Sequence, residues 1–268
     1  MNNADGSIFI SGGSSGIGLA TAMAYARRRK KPRLGLFARD KARLDRAAET
    51  ICAEIPTAEV RCFPLDVADS ERVATTVSQA VTALGAPDRV VLAAGITLPG
   101  RFDANSLSVQ REVMEINYFG SLNMVLALAP LMHAGSRIAL VGSAAGLIGT
   151  YGYGGYAPSK FALRGLAEVL RVELAARGIS VTLCLPPDTD TPMLAAELPL
   201  RPAVTNRIAA GAPVLSASVV ANALLRGMEA GRFLVLPGLP VKLLYLFGPW
   251  VAPVARWQQR RLIRKLGE

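Results

Sequence analysis

The chain has 268 residues, 51% of them hydrophobic, and a mean hydropathy of +0.33. These values exclude a largely disordered chain and indicate one sizeable α/β domain, alone or with an appendage. Its three cysteines are widely spaced and form no C-x-x-C pair, which is typical of free thiols in a reducing compartment rather than of disulfides or a zinc site. The net charge of +10 makes nucleic acid a partner to consider, but no nucleic-acid-binding motif accompanies the charge, and we expect no such partner.

The chain begins with a short segment, residues 1–6, that lacks the basic stretch and the cleavage site of a secretion signal. We therefore expect a cytoplasmic protein.

A glycine-rich turn follows the first predicted strand, residues 7–10, and precedes an alanine-rich helix that extends to about Arg29. Glycine permits close approach of the backbone, and the free N–H groups at a helix N-terminus attract a pyrophosphate. The spacing is G-x-x-x-G-x-G, and a flexible loop is the alternative interpretation. The residues that would form this anion site are Gly12, Ser14, Ser15, Gly16, Ile17 and Gly18.

The second predicted strand, residues 33–38, ends next to Arg39. A NAD site would place an acidic residue at this strand end to bind the ribose 2′-hydroxyl, but Ala38 occupies that position. A guanidinium prefers a phosphate, so Arg39 favours NADP(H) over NAD. Asp40 is the residue that argues against this choice.

Asp66 and Val67 follow the next predicted strand, residues 60–64. An acidic residue just beyond the carboxyl end of a parallel strand lies where ligands bind, so Asp66 could bind the adenine amine of a cofactor. The alternative is a charge placed near the N-terminus of the following helix.

A further buried strand is predicted at residues 89–95, and it ends in the small residues Ala94 and Gly95. A cofactor could lie against the backbone there. The alternation of strands and helices predicts a parallel, doubly wound sheet, which is a Rossmann-type α/β fold.

Asn117 lies in a long predicted helix, residues 107–132, among apolar neighbours. A buried amide without partners costs roughly 1–3 kcal/mol, so Asn117 is either a structural hydrogen-bonding residue or part of a proton path. The only histidine, His133, follows this helix and is expected at the surface. We therefore predict no histidine-based triad and no metal site.

Tyr156 and Lys160 are four positions apart in a predicted helix, residues 156–176, so their side chains share one face. A free phenol has a pKa near ~10, and a nearby cation lowers it, so this pair can act as an acid. The alternative is an interfacial tyrosine beside a solvated lysine.

Ser143 follows a predicted strand, residues 137–141, at the carboxyl edge of the sheet. Its side chain could meet Tyr156 and Lys160 at one carbonyl group. Tyr151 and Tyr153 are excluded as rivals because neither has a lysine four residues later.

These motifs, in their order and spacing, resemble the short-chain dehydrogenase/reductase family over residues 7–236. The resemblance implies that the glycine loop holds the cofactor phosphates, that Ser143 positions a substrate carbonyl and that Tyr156 is the general acid. It further implies that Lys160 binds the nicotinamide ribose and tunes Tyr156, and that Asn117 supports a water in a proton relay. The remaining cofactor contacts are Pro186, Thr189 and Thr191.

A narrower resemblance, to the 3-ketodihydrosphingosine reductases, rests on residues 115–121, 159–168 and 186–192, the last reading Pro-Pro-Asp-Thr-Asp-Thr-Pro. It implies NADPH-dependent reduction of the 3-keto group of a long-chain sphingoid base. Two alternatives remain open: a reductase of another hydrophobic ketone, such as a steroid or a 3-oxoacyl lipid, and a lipid- or membrane-binding module without catalysis.

The dehydrogenase domain is expected at residues 1–236, with a mobile lid at about residues 186–213 that is rich in proline, alanine and leucine. A helix near residues 216–229 and a strand at residues 233–236 would complete the sheet.

Residues 237–268 are an apolar and basic appendage. Its prolines and glycines favour a short interfacial helix or a hairpin over a straight membrane-spanning helix. Trp250, Trp257 and the basic run at residues 256–265 favour peripheral binding to an anionic membrane on its cytoplasmic face. The alternatives are a subunit interface, since the resemblance implies a homo-oligomer, and a true span.

Overall fold

A computed structural model describes residues 6–268, so the prediction that no secretion signal precedes the first strand falls almost entirely outside the described residues. Seven parallel strands form one sheet in the order β3-β2-β1-β4-β5-β6-β9, and β7 pairs in parallel with β8. The strands are β1 (Ser7–Ser11), β2 (Arg33–Ala38), β3 (Glu59–Pro64), β4 (Arg89–Leu92), β5 (Arg137–Val141), β6 (Ser180–Cys184), β7 (Thr189–Asp190), β8 (Leu215–Ser216) and β9 (Leu234–Val235).

Helices connect the strands and cover both faces of the sheet. They are α1 (Gly16–Ala26), α2 (Lys41–Glu54), α3 (Ser70–Leu84), α4 (Leu107–Met114), α5 (Gly120–Leu128), α6 (Tyr156–Glu173), α7 (Pro192–Glu197), α8 (Ala203–Ala209), α9 (Ala217–Glu229) and α10 (Leu239–Leu266). The prediction of a Rossmann-type, doubly wound parallel sheet is confirmed.

The two faces of the sheet carry separate hydrophobic cores because successive strand residues point to opposite sides. In β1, Ile8 and Ile10 pack into the core that holds α1, α2 and α9, whereas Phe9 packs into the core that holds α3, α5 and α6. All three side chains are fully buried. Burial on both faces explains why the central strands are continuous apolar runs.

The strand order reverses between β1 and β4, which are neighbours although two strands separate them in the chain. Ligands of doubly wound sheets bind in the crevice that opens at such a reversal, beyond the carboxyl ends of the strands. The glycine-rich turn after β1 and the Ala94-Gly95 segment after β4 both lie at this crevice.

The long helix predicted for residues 107–132 is divided. A π-helical turn, Glu115–Phe119, separates α4 from α5, and a short 3₁₀ turn, Ala129–Leu131, ends the region. π-Helical turns often occur at functional sites, because the extra residue re-aims a side chain. Here the turn contains Asn117.

The C-terminal appendage is one 28-residue helix, α10, that continues through Pro249 and Pro253. The expectation that these breakers would divide the segment is wrong. Each proline lacks an N–H and leaves the carbonyl four residues earlier without its helical donor, but both prolines lie on an exposed part of the helix where water can bind that carbonyl. Within residues 6–268, no helix is both long enough and apolar enough to cross a membrane.

Candidate active site

The glycine-rich turn forms a cradle that larger residues could not form. Gly12 and Gly16 have φ angles of +71° and +52°, which favour glycine. A Cβ on Gly18 would lie only 2.2 Å from the Gly12 carbonyl oxygen. No side chain of the described residues caps the start of α1, so its first N–H groups are available to an anion. The turn therefore fits a dinucleotide pyrophosphate.

Two arginines line the cleft beyond the end of β2, Arg39 just after the strand and Arg43 in the first turn of α2. Arg43 was not among the residues singled out from the sequence. Asp40, the residue that argued against NADP(H), caps the N-terminus of α2 through the Arg43 backbone N–H at 3.0 Å and pairs with the Arg43 side chain at 3.3 Å. Its carboxylate is thus engaged. The Arg39 guanidinium also faces the cleft, and it is paired only loosely, with Asp66 at 4.0 Å.

The two roles predicted for Asp66 were binding of a ligand and a charge near the N-terminus of the next helix, and each is met only in part. It lines the cleft next to Val67, and its Oδ1 accepts a hydrogen bond from the Ala68 N–H at 3.0 Å. The capping of α3 is done by Asp69 instead, which accepts from the Arg72 N–H. Asp66 therefore remains placed for a ligand at the rim of the cleft.

Asn117 is fully buried behind the cleft, with every polar atom of its amide bonded. Its Oδ1 accepts from the Ile96 N–H at 2.8 Å, and its Nδ2 donates to the Ile96 carbonyl at 3.0 Å and to Ser159 Oγ at 2.9 Å. Asn117 thus joins the loop after β4 to α6. A Cβ on Gly95 would lie 2.9 Å from Asn117 Oδ1, so this junction also requires glycine there.

Ser143, Tyr156 and Lys160, here called the Ser-Tyr-Lys cluster, line one part of the cleft. Tyr156 begins α6, and Lys160 lies one turn later on the same face, with its Nζ 5.5 Å from the centre of the Tyr156 ring. Lys160 is 6% exposed and donates to the Val141 carbonyl at 3.2 Å. The three side chains predicted to converge are therefore brought together.

The expectation that Lys160 makes Tyr156 more acidic is not met in this structure. Burial raises the pKa of Tyr156 to about 12, and the nearby Ser143 side chain opposes that rise. Burial also lowers the pKa of Lys160 to about 8. Desolvation disfavours both charged forms, and helical spacing alone does not reveal it. The Tyr156 phenol consequently keeps its proton at neutral pH, as a proton donor must.

A second group of polar side chains lies at the same cleft and was missed from the sequence. Tyr153, Asp188 and Glu197 line the cleft, and the buried Arg201 bonds to both carboxylates. These four residues are here called the carboxylate cluster. Tyr153 had been considered only as a rival of Tyr156. The pairing of Glu197 with Arg201 four residues later was a readable signal, but nothing local indicated that both are buried.

The predicted cofactor-binding residues lie along one continuous cleft of about 510 Å³. Asn117 lies behind it, and His133 lies far from it at the surface, beside Asp88. The predicted residues that line the cleft are Gly12, Ser14, Ser15, Gly16, Ile17, Gly18, Arg39, Asp66, Val67, Ala94, Gly95, Ser143, Tyr156, Lys160, Pro186, Thr189 and Thr191.

Known proteins resemble this chain in sequence. Residues 7–200 match the model of the short chain dehydrogenase family. A 3-dehydrosphinganine reductase of Danio rerio is 37% identical over 231 residues, which are 84% of this chain and 69% of that protein. A 3-dehydrosphinganine reductase of Arabidopsis thaliana is 37% identical over 85% of this chain and 68% of that protein. A 3-ketodihydrosphingosine reductase of Bos taurus is 35% identical over 84% of this chain and 69% of that protein.

Solved structures resemble the fold. Levodione reductase superimposes with a TM-score of 0.79 at 23% identity, covering 87% of this chain and 96% of that chain. A short-chain dehydrogenase of Sphingobium yanoikuyae in complex with NADPH gives 0.75 at 24% identity, covering 90% and 91%. With the sheet order, the glycine cradle and the Ser-Tyr-Lys cluster, these matches establish that the chain belongs to the short-chain dehydrogenase family.

Proposed function

We propose that this protein reduces the 3-keto group of 3-ketodihydrosphingosine to the alcohol, with NADPH as the hydride donor. The observation that carries the proposal is the similarity to several reductases named for this substrate, each matched over most of this chain. The Ser-Tyr-Lys cluster in the cleft supports the chemistry, because it offers a protonated phenol where a carbonyl oxygen can be bound.

The reaction needs one hydride and one proton. NADPH held by the glycine-rich turn would supply the hydride for the carbonyl carbon and would leave as NADP⁺. Ser143 and Tyr156 hold the carbonyl oxygen, and the Tyr156 hydroxyl transfers its proton to that oxygen as the alcohol forms. Lys160, one turn along α6, orients the ribose and provides positive charge near the phenolate that results.

NADPH is proposed rather than NADH because of the charge at the end of β2. Arg39 and Arg43 both line the cleft there, and Asp40 is occupied by the α2 cap and by Arg43. A guanidinium suits a 2′-phosphate, whereas a ribose 2′-hydroxyl needs a free carboxylate.

An apolar wall supports a lipid ketone as the substrate. The lining of the cleft beyond the Ser-Tyr-Lys cluster comes from α7, α8 and the start of α10, and it suits an alkyl chain. The apolar residues of this wall are Met193, Leu194, Ile208, Ala209, Val241 and Leu244.

The experiment is NADPH oxidation by the purified protein with a panel of ketones. We expect turnover with 3-ketodihydrosphingosine and much slower turnover with NADH. Preference for a steroid or a 3-oxoacyl lipid would contradict the substrate and keep the chemistry. No oxidation with any ketone would favour the non-catalytic, lipid-binding alternative.

We further propose that α10 binds an anionic membrane surface, which would place the protein peripherally on the cytoplasmic face. One side of α10 packs on the domain, with Val241 buried and Gln259 bonded to the Tyr151 N–H at 2.9 Å. The opposite side is exposed and apolar along most of its length, and Trp250 is 81% exposed. The exposed apolar residues on this side are Leu239, Leu243, Leu246, Phe247, Trp250, Val254 and Trp257.

The charge of α10 favours anionic lipid over a second protein copy as the partner of this side. The helix contains no acidic residue, and the exposed side continues from the apolar residues into Arg261, Arg264 and Lys265. Basic residues near an anionic bilayer contribute roughly 1 kcal/mol each, and tryptophan favours the headgroup level. A homo-oligomer formed elsewhere on the domain is compatible with this proposal.

Sedimentation with anionic and with neutral vesicles tests the membrane proposal. Trp250→Ala combined with Trp257→Ala should reduce binding to anionic vesicles severalfold, and Val172→Ala, an exposed position on α6, should not. Point variants are preferable to deletion because α10 also lines the cleft. Unchanged vesicle binding, together with conversion of an oligomer to a monomer by the tryptophan variant, would show a subunit interface instead.

A further inference from the structure

The carboxylate cluster places charged side chains in a cleft that also has an apolar wall. Arg201 has a side chain only 2% exposed, and its two terminal nitrogens donate to both oxygens of Asp188 at 2.7 and 3.0 Å. Its Nε donates to Oε1 of Glu197 at 2.5 Å. The Tyr153 hydroxyl donates to the same oxygen. Within residues 6–268, the hydrogen-bond partners of the Glu197 side chain, Tyr153 and Arg201, thus both bind Oε1.

The charges of this cluster do not balance. Two carboxylates oppose one guanidinium, and Tyr153 stays neutral because burial and the neighbouring Glu197 carboxylate raise its pKa. Glu197 is 6% exposed, whereas the Asp188 side chain is 29% exposed, so Glu197 is the carboxylate of the pair that is largely removed from water. A buried charge without compensation is costly, which makes the cluster receptive to a cation.

The excess charge lies beside the place where the substrate carbonyl is expected. Tyr153, Asp188 and Glu197 line the cleft together with the Ser-Tyr-Lys cluster. The ring centres of Tyr153 and Tyr156 are 5.4 Å apart. Among the described residues the two carboxylates form ion pairs with Arg201 and not with Lys160, whose ammonium donates to the Val141 carbonyl instead.

We propose that the carboxylate of Glu197 binds an ammonium group carried on the carbon next to the substrate carbonyl, and so selects amino ketones over neutral ketones. This inference rests on the proposed function, since 3-ketodihydrosphingosine carries an amine on the carbon adjacent to its ketone. Oε2 of Glu197 accepts a hydrogen bond from the ammonium, while Tyr153 and Arg201 fix the carboxylate through Oε1. Glu197 is then a specificity-determining residue that takes no part in proton or hydride transfer.

The test compares two ketones of equal chain length, 3-ketodihydrosphingosine and its analogue without the amino group, in wild type and in Glu197→Gln. The substituted amide keeps an oxygen for Tyr153 and Arg201 but has no charge. We expect kcat/KM for the amino ketone to fall about 10- to 100-fold, mainly through KM, and that for the neutral ketone to change little. Equal losses for both ketones would show a purely structural role and overturn the proposal, as would no loss for either.

Glu168→Gln is the matched control, because Glu168 also pairs with an arginine four residues away, Arg164, but on the exposed surface. It should change neither ketone's kinetics.

A binding measurement separates this inference from the proposed function. Dodecylamine and dodecanol, below their micelle concentrations, are titrated into wild-type protein loaded with NADP⁺. We expect the amine to bind at least about tenfold more tightly than the alcohol, and Glu197→Gln to remove that preference. Equal affinity in the wild type would overturn the inference. A wild type that prefers the amine but reduces neither ketone would retain amine recognition and disprove the reductase function.

Discussion

The two polar clusters of the cleft, Ser-Tyr-Lys and carboxylate, differ in how they are assembled. Tyr156 and Lys160 lie one turn apart on α6, so their proximity follows from helical spacing. The carboxylate cluster joins Tyr153 to Glu197, 44 residues later, and Arg201 to Asp188, 13 residues earlier. The first cluster suits bond making at the carbonyl, and the second suits recognition of what surrounds it. A reaction centre can therefore be local in sequence while its selectivity depends on distant residues.

The largest difference between the clusters should appear in turnover. We expect Tyr156→Phe to lower kcat by about 10²–10⁴, because the proton donor is removed. Tyr153→Phe, the matched change in the other cluster, should cost far less in kcat and should act on KM for the amino ketone. Steady-state NADPH oxidation measures both, and cofactor fluorescence checks that NADPH still binds. Comparable losses of kcat in the two variants would contradict the division of roles.

For the free energy of unfolding we expect the opposite ranking, with the large effect in the carboxylate cluster. Arg201→Leu leaves the buried carboxylate of Glu197 and the partly buried one of Asp188 without their partner, so we expect the free energy of unfolding to fall by about 3–5 kcal/mol. Arg164→Leu removes an arginine from an exposed pair of the same spacing and should cost about 0–1 kcal/mol. Urea denaturation measures both. Similar small effects would mean that the carboxylate cluster is better hydrated than its burial indicates.

Lys160 should promote the reaction but lower the stability of the folded protein. Its pKa falls from 10.5 to about 8 on burial, so the folded state binds this proton more weakly than the unfolded state does. Below pH 8 the charged amine therefore costs stability, and the cost disappears as pH rises from about 8 to 10.5. Lys160→Met should be more stable than wild type by up to about 3 kcal/mol at pH 7.

Urea denaturation of the wild type and of Lys160→Met at several pH values checks the sign of this pH dependence. The advantage of Lys160→Met should shrink steadily between pH 8 and 10.5. A gap that is constant with pH, or that widens, would show that Lys160 is not desolvated in the folded protein.

We expect the smallest effect from a residue outside both clusters, Arg39, at the end of the cleft where the 2′-phosphate of NADPH would bind. Arg39→Ala should raise KM for NADPH about tenfold and leave KM for NADH and for the ketone almost unchanged, since it removes one exposed phosphate contact. Arg46→Ala, an exposed arginine on α2 that does not line the cleft, is the control. An equal loss for both cofactors would argue against a 2′-phosphate contact.

Much of the fold could be predicted because its signals are local. The bounds of β2 agree with the predicted strand at residues 33–38, since a short apolar run ends there at the charged residues Arg39 and Asp40. The parallel sheet followed from apolar strands that alternate with helices. The glycine cradle and the Tyr156–Lys160 pair were found for the same reason.

The remaining features depend on tertiary context. The π-helical turn contains Asn117, whose side chain bonds to Ile96 and Ser159, and no sequence periodicity reveals these contacts. The continuity of α10 depends on exposure of its prolines and on anchoring contacts such as that of Gln259 with the loop at Tyr151. The raised pKa of Tyr156 comes from desolvation, which spacing alone cannot give. Burial of Glu197 and Arg201 is likewise a property of the folded cleft.

Transfer of a labelled hydride tests the central claim most directly. Wild-type protein would be mixed with 3-ketodihydrosphingosine and NADPH deuterated at the transferred position, and the product analysed by mass spectrometry. The account predicts dihydrosphingosine with one deuterium on the carbon that carried the ketone, formed at least about a hundredfold more slowly by Tyr156→Phe. Recovery of unchanged ketone from the wild type, or equal rates in the two proteins, would contradict it.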